Sequence, residues 1–255
     1  MKSLPIALFT IIFAVLPYSA SAAKTPHSNT TTPTGNDISY PQCDKPYPTG
    51  SAFGVIGVNA GKATTFNTCF SSELAWAQAK SGTTTQPKAQ LYVNTANPGD
   101  VISQITTWPT AGLTPFGTCD GTNSQSCSWQ YGYDRATDDI SFVGSAAWNW
   151  WLDVETANSW TSDPTKNTAA LEGMVAAFQS AGGTVGIYAT TATWTSLMGT
   201  TPADSSLYPL GEWRVGASSL TNAKNNCLVK PFTAGGHSVM SQYTSGRFDY
   251  DVSCI

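Results

Sequence analysis

Charge is scarce in this sequence. Asp, Glu, Lys and Arg together make up 11% of its 255 residues, where about 25% is usual. The surface must therefore be built from Thr, Ser, Asn and Gln, a composition common in extracellular proteins. Histidine is scarcer still: only His27 and His237 occur. A His-based metal site or a Ser-His nucleophile would have to rest on one imidazole, and His237 reads better as a strand-start residue. No CxxC spacing and no GxSxG is present, which removes the usual zinc-ribbon and nucleophile-elbow patterns. Gly57-Val58-Asn59-Ala60-Gly61-Lys62 evokes a phosphate loop, but its Gly spacing is short and Ala63 stands where Ser or Thr is needed. After the first few residues, no apolar run is long enough to span a bilayer.

Those first residues, MKSLPIALFTIIFAVLPYSASA, combine Lys2, an apolar run from Ile6 to Val15, and Ala20-Ser21-Ala22. This is the pattern of a cleavable export signal over residues 1–22. The run is short for a membrane anchor, and Pro17 interrupts it. Without the signal the chain carries 11 Lys and Arg against 16 Asp and Glu, a net charge of −5. That argues against a nucleic-acid partner, which needs a basic face. Secretion, to the extracellular space or the cell wall, is the expected location. No membrane contact is expected after signal cleavage, and a monomer is expected. Cys43, Cys69, Cys119, Cys127, Cys227 and Cys254 form an even set, which in an exported chain reads as disulfides. Six cysteines allow 15 pairings; we expect the sequence-local set 43–69, 119–127 and 227–254.

Residues 23–40 are rich in Ser, Thr, Pro and Asn and are expected to form a disordered tail. The remainder, 41–255, suits one barrel-sized domain. FGVIGVN (53–59) is apolar and β-branched, a buried parallel strand. Residues 69–80 pattern as a helix, 89–95 as a strand, 131–144 as a helix and 148–155 as a strand. Asp163-Pro164 is an N-cap and first-turn pair opening a helix that stops at Gly182-Gly183. Strands follow at 183–190, 211–217 and 237–244, with a short helix at 191–198. Strands separated by helices imply an α/β chain, an irregular (β/α) TIM-type barrel in a single domain.

Asp153-Val154-Glu155 is the strongest chemical signal. It closes the apolar strand Trp150-Trp151-Leu152, and residues i and i+2 of a strand share a face. In a parallel barrel the C-terminal strand ends carry the active site. Two crowded carboxylates repel, so one keeps its proton at neutral pH. Acid-catalysed glycoside cleavage needs that arrangement. The chain has four Glu. Glu73 and Glu172 fall on predicted helices and are expected to be solvated, Glu212 begins a strand, and only Glu155 ends one. Other strand ends offer Asn59, Asn94, Tyr188, Gln242 and Tyr243, with Asp249 and Asp251 just beyond and Trp213 within its strand. Aromatic rings beside carboxylates suit sugars. Trp160, Trp194 and Trp213 are the candidate cleft tryptophans; Trp76 and at least two of Trp148, Trp150 and Trp151 are expected in the core.

On these residues the chain resembles the family-25 glycoside hydrolases, the muramidase-type lysozymes, and their glycoside-hydrolase-like relatives in secreted bacterial proteins. FGVIGVNAG, WWLDVETANSW, TVGIYATTATW, EWRVGA and SQYTSGRFDYD carry the resemblance. It implies a barrel that cleaves peptidoglycan or a related N-acetylated glycan, with no cofactor. Glu155 takes the place of the general acid. Asp153 takes that of the partner to the substrate's own acetamido group, and Asp249 that of a late active-site acid. Asn59, Asn94, Tyr188, Trp213, Gln242 and Tyr243 are the expected substrate-binding residues. One departure stands out. The family's first strand ends in Asp within a pattern like GIDVS, and with FGVIGVN as first strand that position is Asn59. An uncharged residue there makes a catalytically inactive, wall- or glycan-binding barrel the alternative to a glycosidase.

Overall fold

The computed structural model describes residues 33–255. The expected export signal and the first part of the expected tail lie outside them. Eight strands close into a barrel: β1 (Thr34–Ile38), β2 (Gly54–Gly57), β3 (Ala89–Asn94), β6 (Asn149–Asp153), β7 (Thr184–Ala189), β8 (Gly211–Ala217), β9 (His237–Ser245) and β10 (Phe248–Ser253). Around the barrel their order is β1-β10-β9-β8-β7-β6-β3-β2. All neighbours are parallel except β10, which runs antiparallel to both β9 and β1. Two further strands, β4 (Gly112–Thr114) and β5 (Gly117–Cys119), form a separate hairpin.

The helices are α1 (Phe70–Gln78), α2 (Gln125–Val143), α3 (Pro164–Ser180), α4 (Thr191–Met198) and α5 (Leu220–Asn226). Each returns the chain to the start of a parallel strand, as a parallel pair requires. No α-helix follows β1 or β9, and only a short 3-10 turn at Tyr40–Gln42 follows β1; the β8–β9 register also shifts twice, so the barrel is irregular as expected. α3 begins where its sequence says: Asp163 accepts the Thr165 N–H at 3.0 Å, with Pro164 in the first turn. α2 starts at Gln125, earlier than its periodicity suggests. Ser124 caps it by accepting the Cys127 N–H at 3.2 Å, and that polar first turn hides the start.

The alternation of strand residues builds two apolar layers. Outward-facing Ile56, Leu91, Val93, Trp150, Leu152 and Ile187 pack against Leu171, Met174, Val175 and Phe178 of α3. Trp150 stacks on Phe178, with ring centroids 4.3 Å apart. Inward-facing Phe53, Val55, Trp151, Trp213 and Met240 fill the barrel. Room for the Trp151 ring comes from Gly186 on the adjacent strand, where a Cβ would collide with that ring. The three disulfides pair as expected: Cys43–Cys69, Cys119–Cys127 and Cys227–Cys254.

The expected tail ends too late. Thr34–Ile38 is a barrel strand, paired with β10 on one side and β2 on the other. Its polar composition is misleading because its polar groups have partners. Asn36 is buried, donates to the Asp249 carbonyl at 2.6 Å and accepts from Ser51 Oγ at 2.6 Å. FGVIGVN is therefore the second strand of the barrel and not its first.

Candidate active site

Strand register brings the polar residues together. Asp37 lies opposite Asp249 across β1 and β10. Asn94 lies opposite Asp153 across β3 and β6, and Asp153 opposite Tyr188 on β7. Tyr188 in turn lies opposite Trp213 on β8. The parallel strands end here and the antiparallel β10 begins here, so all of them meet at one end of the barrel. They line a cavity of about 340 Å³ that also holds Glu155, Gln242, Tyr92 and Asn158. Four carboxyls and no base face this space.

Asp153 sits buried at the cavity floor. Its Oδ2 accepts from Asn94 Nδ2 at 2.7 Å, and its Oδ1 has no hydrogen-bond partner. Burial, and then the neighbouring Glu155, hold its carboxyl well above the ordinary range. Glu155 is exposed at the rim, and partial desolvation raises it as well. Val154 between them points into the helix layer, so the two acids do share a face. Gln242 Nε2 donates to Asp37 Oδ2 at 2.9 Å, while Tyr188 Oη donates to Gln242 Oε1 at 3.2 Å. Burial, and then Asp249, push Asp37 up to about 7. Behind it, Asp251 accepts from Trp213 Nε1 at 2.9 Å. Burial, and then the Asp37 charge, raise Asp251 well above its usual value. Trp213 meets Tyr188 edge-on at 4.6 Å, giving the wall an aromatic face for a sugar ring.

Of the expected binding residues, Asn94, Tyr188, Trp213, Gln242 and Asp249 line this cavity with Asp153 and Glu155. Two do not. Tyr243 alternates away from Gln242 and stacks on Tyr250, centroids 5.3 Å apart. Asn59 lies buried behind the cavity. Its Nδ2 donates to Asp139 Oδ1 at 2.8 Å and to the Thr65 carbonyl at 3.1 Å, and its Oδ1 accepts the Asn94 N–H at 2.7 Å. Of the candidate cleft tryptophans, Trp194 is buried against Phe232. Trp160 packs beside the core, its indole N–H donating to the Glu155 carbonyl at 2.8 Å. Glu73 is not solvated either. It is fully buried, accepts from Asn67 Nδ2 at 2.6 Å, and is pushed by burial to about 7.

The family model described as Lysozyme-like protein 1 matches residues 122–236, a stretch that contains both Asp153 and Glu155. A segment of 49 residues is 37% identical to the probable GH family 25 lysozyme 4 of Dictyostelium discoideum. It covers 19% of this chain, and the match spans only 22% of that relative's length. The barrel is similar to that of a family GH25 lysozyme from Aspergillus fumigatus, with TM-score 0.54 and 16% identity over 88% of this chain and 94% of that one. The chain is GH25 lysozyme-like. A second neighbour is the modular Cpl-1 endolysin complexed with a peptidoglycan analogue. Its TM-score is 0.56 at 16% identity, over 88% of this chain and 54% of that one. At such identities the structural likeness is one of fold.

Within a GH25 lysozyme-like barrel, the first-strand acid becomes legible. The GIDVS-like pattern corresponds to Gly35-Asn36-Asp37-Ile38-Ser39 in β1, and not to the stretch ending at Asn59. Asp37 is the functional candidate that the sequence reading missed. The five-residue pattern was present, but it sat inside the supposed tail.

The buried acids make stability depend on pH. Asp37, Glu73 and Asp139 are raised to about 7, 7 and 8, each chiefly by burial. The folded chain keeps these protons where an unfolded chain, with carboxyls near 4, has lost them. Their contribution is complete below about pH 4 and is lost as pH rises through 7 to 8. Each titrating group contributes a slope of up to about 1.4 kcal/mol per pH unit. Urea midpoints are expected to fall between pH 5 and pH 8. A midpoint that rises over that interval contradicts protonated acids in the folded state.

Proposed function

We propose that this barrel is a secreted glycoside hydrolase that cleaves peptidoglycan or a related N-acetylated glycan. The observation that carries the reading is the meeting of Asp153, Glu155, Asp37 and Asp249 in one cavity at the C-terminal strand ends. The lysozyme-like comparisons, and a structural neighbour complexed with a peptidoglycan analogue, point to the same substrate class.

Glu155 acts as the general acid. Mutual repulsion and burial keep a proton on the Asp153–Glu155 pair, and with that proton on Glu155 it can be delivered to the glycosidic oxygen. The substrate's acetamido carbonyl oxygen attacks the anomeric carbon as the bond to the leaving sugar breaks. Asp153, ionised, draws the acetamido N–H with Oδ1, the oxygen left free because Asn94 occupies only Oδ2. A water then attacks the anomeric carbon as its bond to the acetamido oxygen breaks; the water's proton goes to Glu155, the acetamido group is restored, and the outcome is net retention. Tyr188, Trp213 and Gln242 provide the walls that hold the sugar.

Asn59 was the sequence feature that favoured a non-hydrolytic barrel. It lies outside the cavity, and Asp37 supplies a carboxyl there instead. The deciding experiment incubates the exported protein with purified peptidoglycan and follows new reducing ends and the masses of released fragments. Fragments ending in a reducing N-acetylated sugar support the reading; wall binding with no release overturns hydrolysis.

A further inference from the structure

Beyond the acidic cavity lies a second one of about 480 Å³, lined by Lys62, Thr64, Gln104, Thr106 and Tyr131 among others. The two cavities share Gly61, Ala157 and Asn158, so they are two chambers of one groove with a waist at those residues. Their electrostatics are opposite. The first chamber is faced by four carboxyls and no base; in the second, Lys62 is the only charged residue. Lys62 is exposed and forms no ion pair among the described residues. At the waist, the Asn158 side-chain Nδ2 is buried without a hydrogen-bond partner. A buried amide donor costs free energy until something accepts from it, which suits a ligand oxygen crossing the waist.

We propose that the second chamber is a binding subsite for a carboxylate carried on the glycan, with Lys62 pairing the carboxylate and Asn158 donating to the glycan as it passes the waist. The inference rests on the glycan reading of the first chamber and adds a direction to it. An anionic substituent is repelled by the four acids of the first chamber and attracted by Lys62 in the second, so the field along the groove sets which way the glycan lies. In peptidoglycan such a carboxylate has two sources, the lactyl ether of muramic acid and the peptide stem.

The test uses the full chain with Glu155→Gln, so that binding is measured without turnover. Three probes of equal sugar length separate the sources: a neutral N-acetylglucosamine oligomer, a stem-free glycan retaining lactyl carboxylates, and a glycan with its peptide stems. Tighter binding of at least one anionic probe is expected, with the advantage shrinking in high salt. Adding Lys62→Glu should reduce the anionic-to-neutral affinity ratio by about fivefold, the scale of exposed charge pairs. Asn158→Ala should weaken all three probes together. Whichever anionic probe loses its advantage identifies the source. An unchanged ratio in Lys62→Glu overturns the proposal, as does failure of every probe to bind. Failure of hydrolysis is separate: wild type that releases no reducing ends yet shows the Lys62-dependent ratio keeps the subsite and loses the enzyme.

Discussion

Glu155→Gln is expected to lower the release of reducing ends from peptidoglycan by about 10²–10⁴-fold, the usual contribution of a positioned general acid. The amide has the size and shape of the carboxyl but no acidic proton to give the leaving oxygen. Folding should be almost unaffected. Glu155 is exposed at the cavity rim, and the helix-layer contact of this segment is made by Val154. Its backbone carbonyl, which receives the Trp160 indole N–H, is untouched by the change. Thermal melts of the two proteins should therefore superimpose within a degree or two, and wall pull-down should persist. Loss of release with retained folding and binding separates lost chemistry from a lost site. Equal release from both proteins would sink the assignment of Glu155.

What the sequence made legible follows how local each signal was. The apolar strands 89–94, 149–153 and 184–189 carry their own pattern, and the Asp163-Pro164 start of α3 is written in two residues. The Asp153-Val154-Glu155 alternation needs only strand geometry. β1 was not legible in that way. It has one apolar residue in five, and it becomes a strand because β10, more than 200 residues later, pairs with it. Its Asp37 was lost with it. Tyr243 and Gln242 are adjacent in sequence, and only the register decides which of them faces the cavity. Trp194 and Glu73 were misread for a related reason. The partner that buries each one, Phe232 for the indole and Asn67 for the carboxyl, is not implied by helical periodicity.

Asn59→Asp is the substitution that the mistaken first strand would recommend, since it writes an acid where the family pattern seemed to lack one. The structure predicts the opposite outcome. Asn59 uses both ends of its amide: Nδ2 donates to Asp139 and to the Thr65 carbonyl, and Oδ1 accepts the Asn94 N–H. A carboxyl preserves only the acceptor role. It removes the donor from the Thr65 carbonyl and places a second acid against Asp139, which is fully buried and has one oxygen already without a partner. The cost is expected to be about 3–4 kcal/mol, the scale for breaking a buried hydrogen-bonded pair. It should be smallest in acid. There the two carboxyls can share a proton, and that proton is lost as pH rises past about 8, where Asp139 itself titrates. Urea unfolding at pH 5 and pH 8.5 reads both effects. Because Asn94 takes its backbone anchor from Asn59 and holds Asp153 with its side chain, loosening Asn59 should also lower turnover. A variant with gained activity and an unchanged midpoint would return the first-strand acid to position 59 and remove Asp37 from the site.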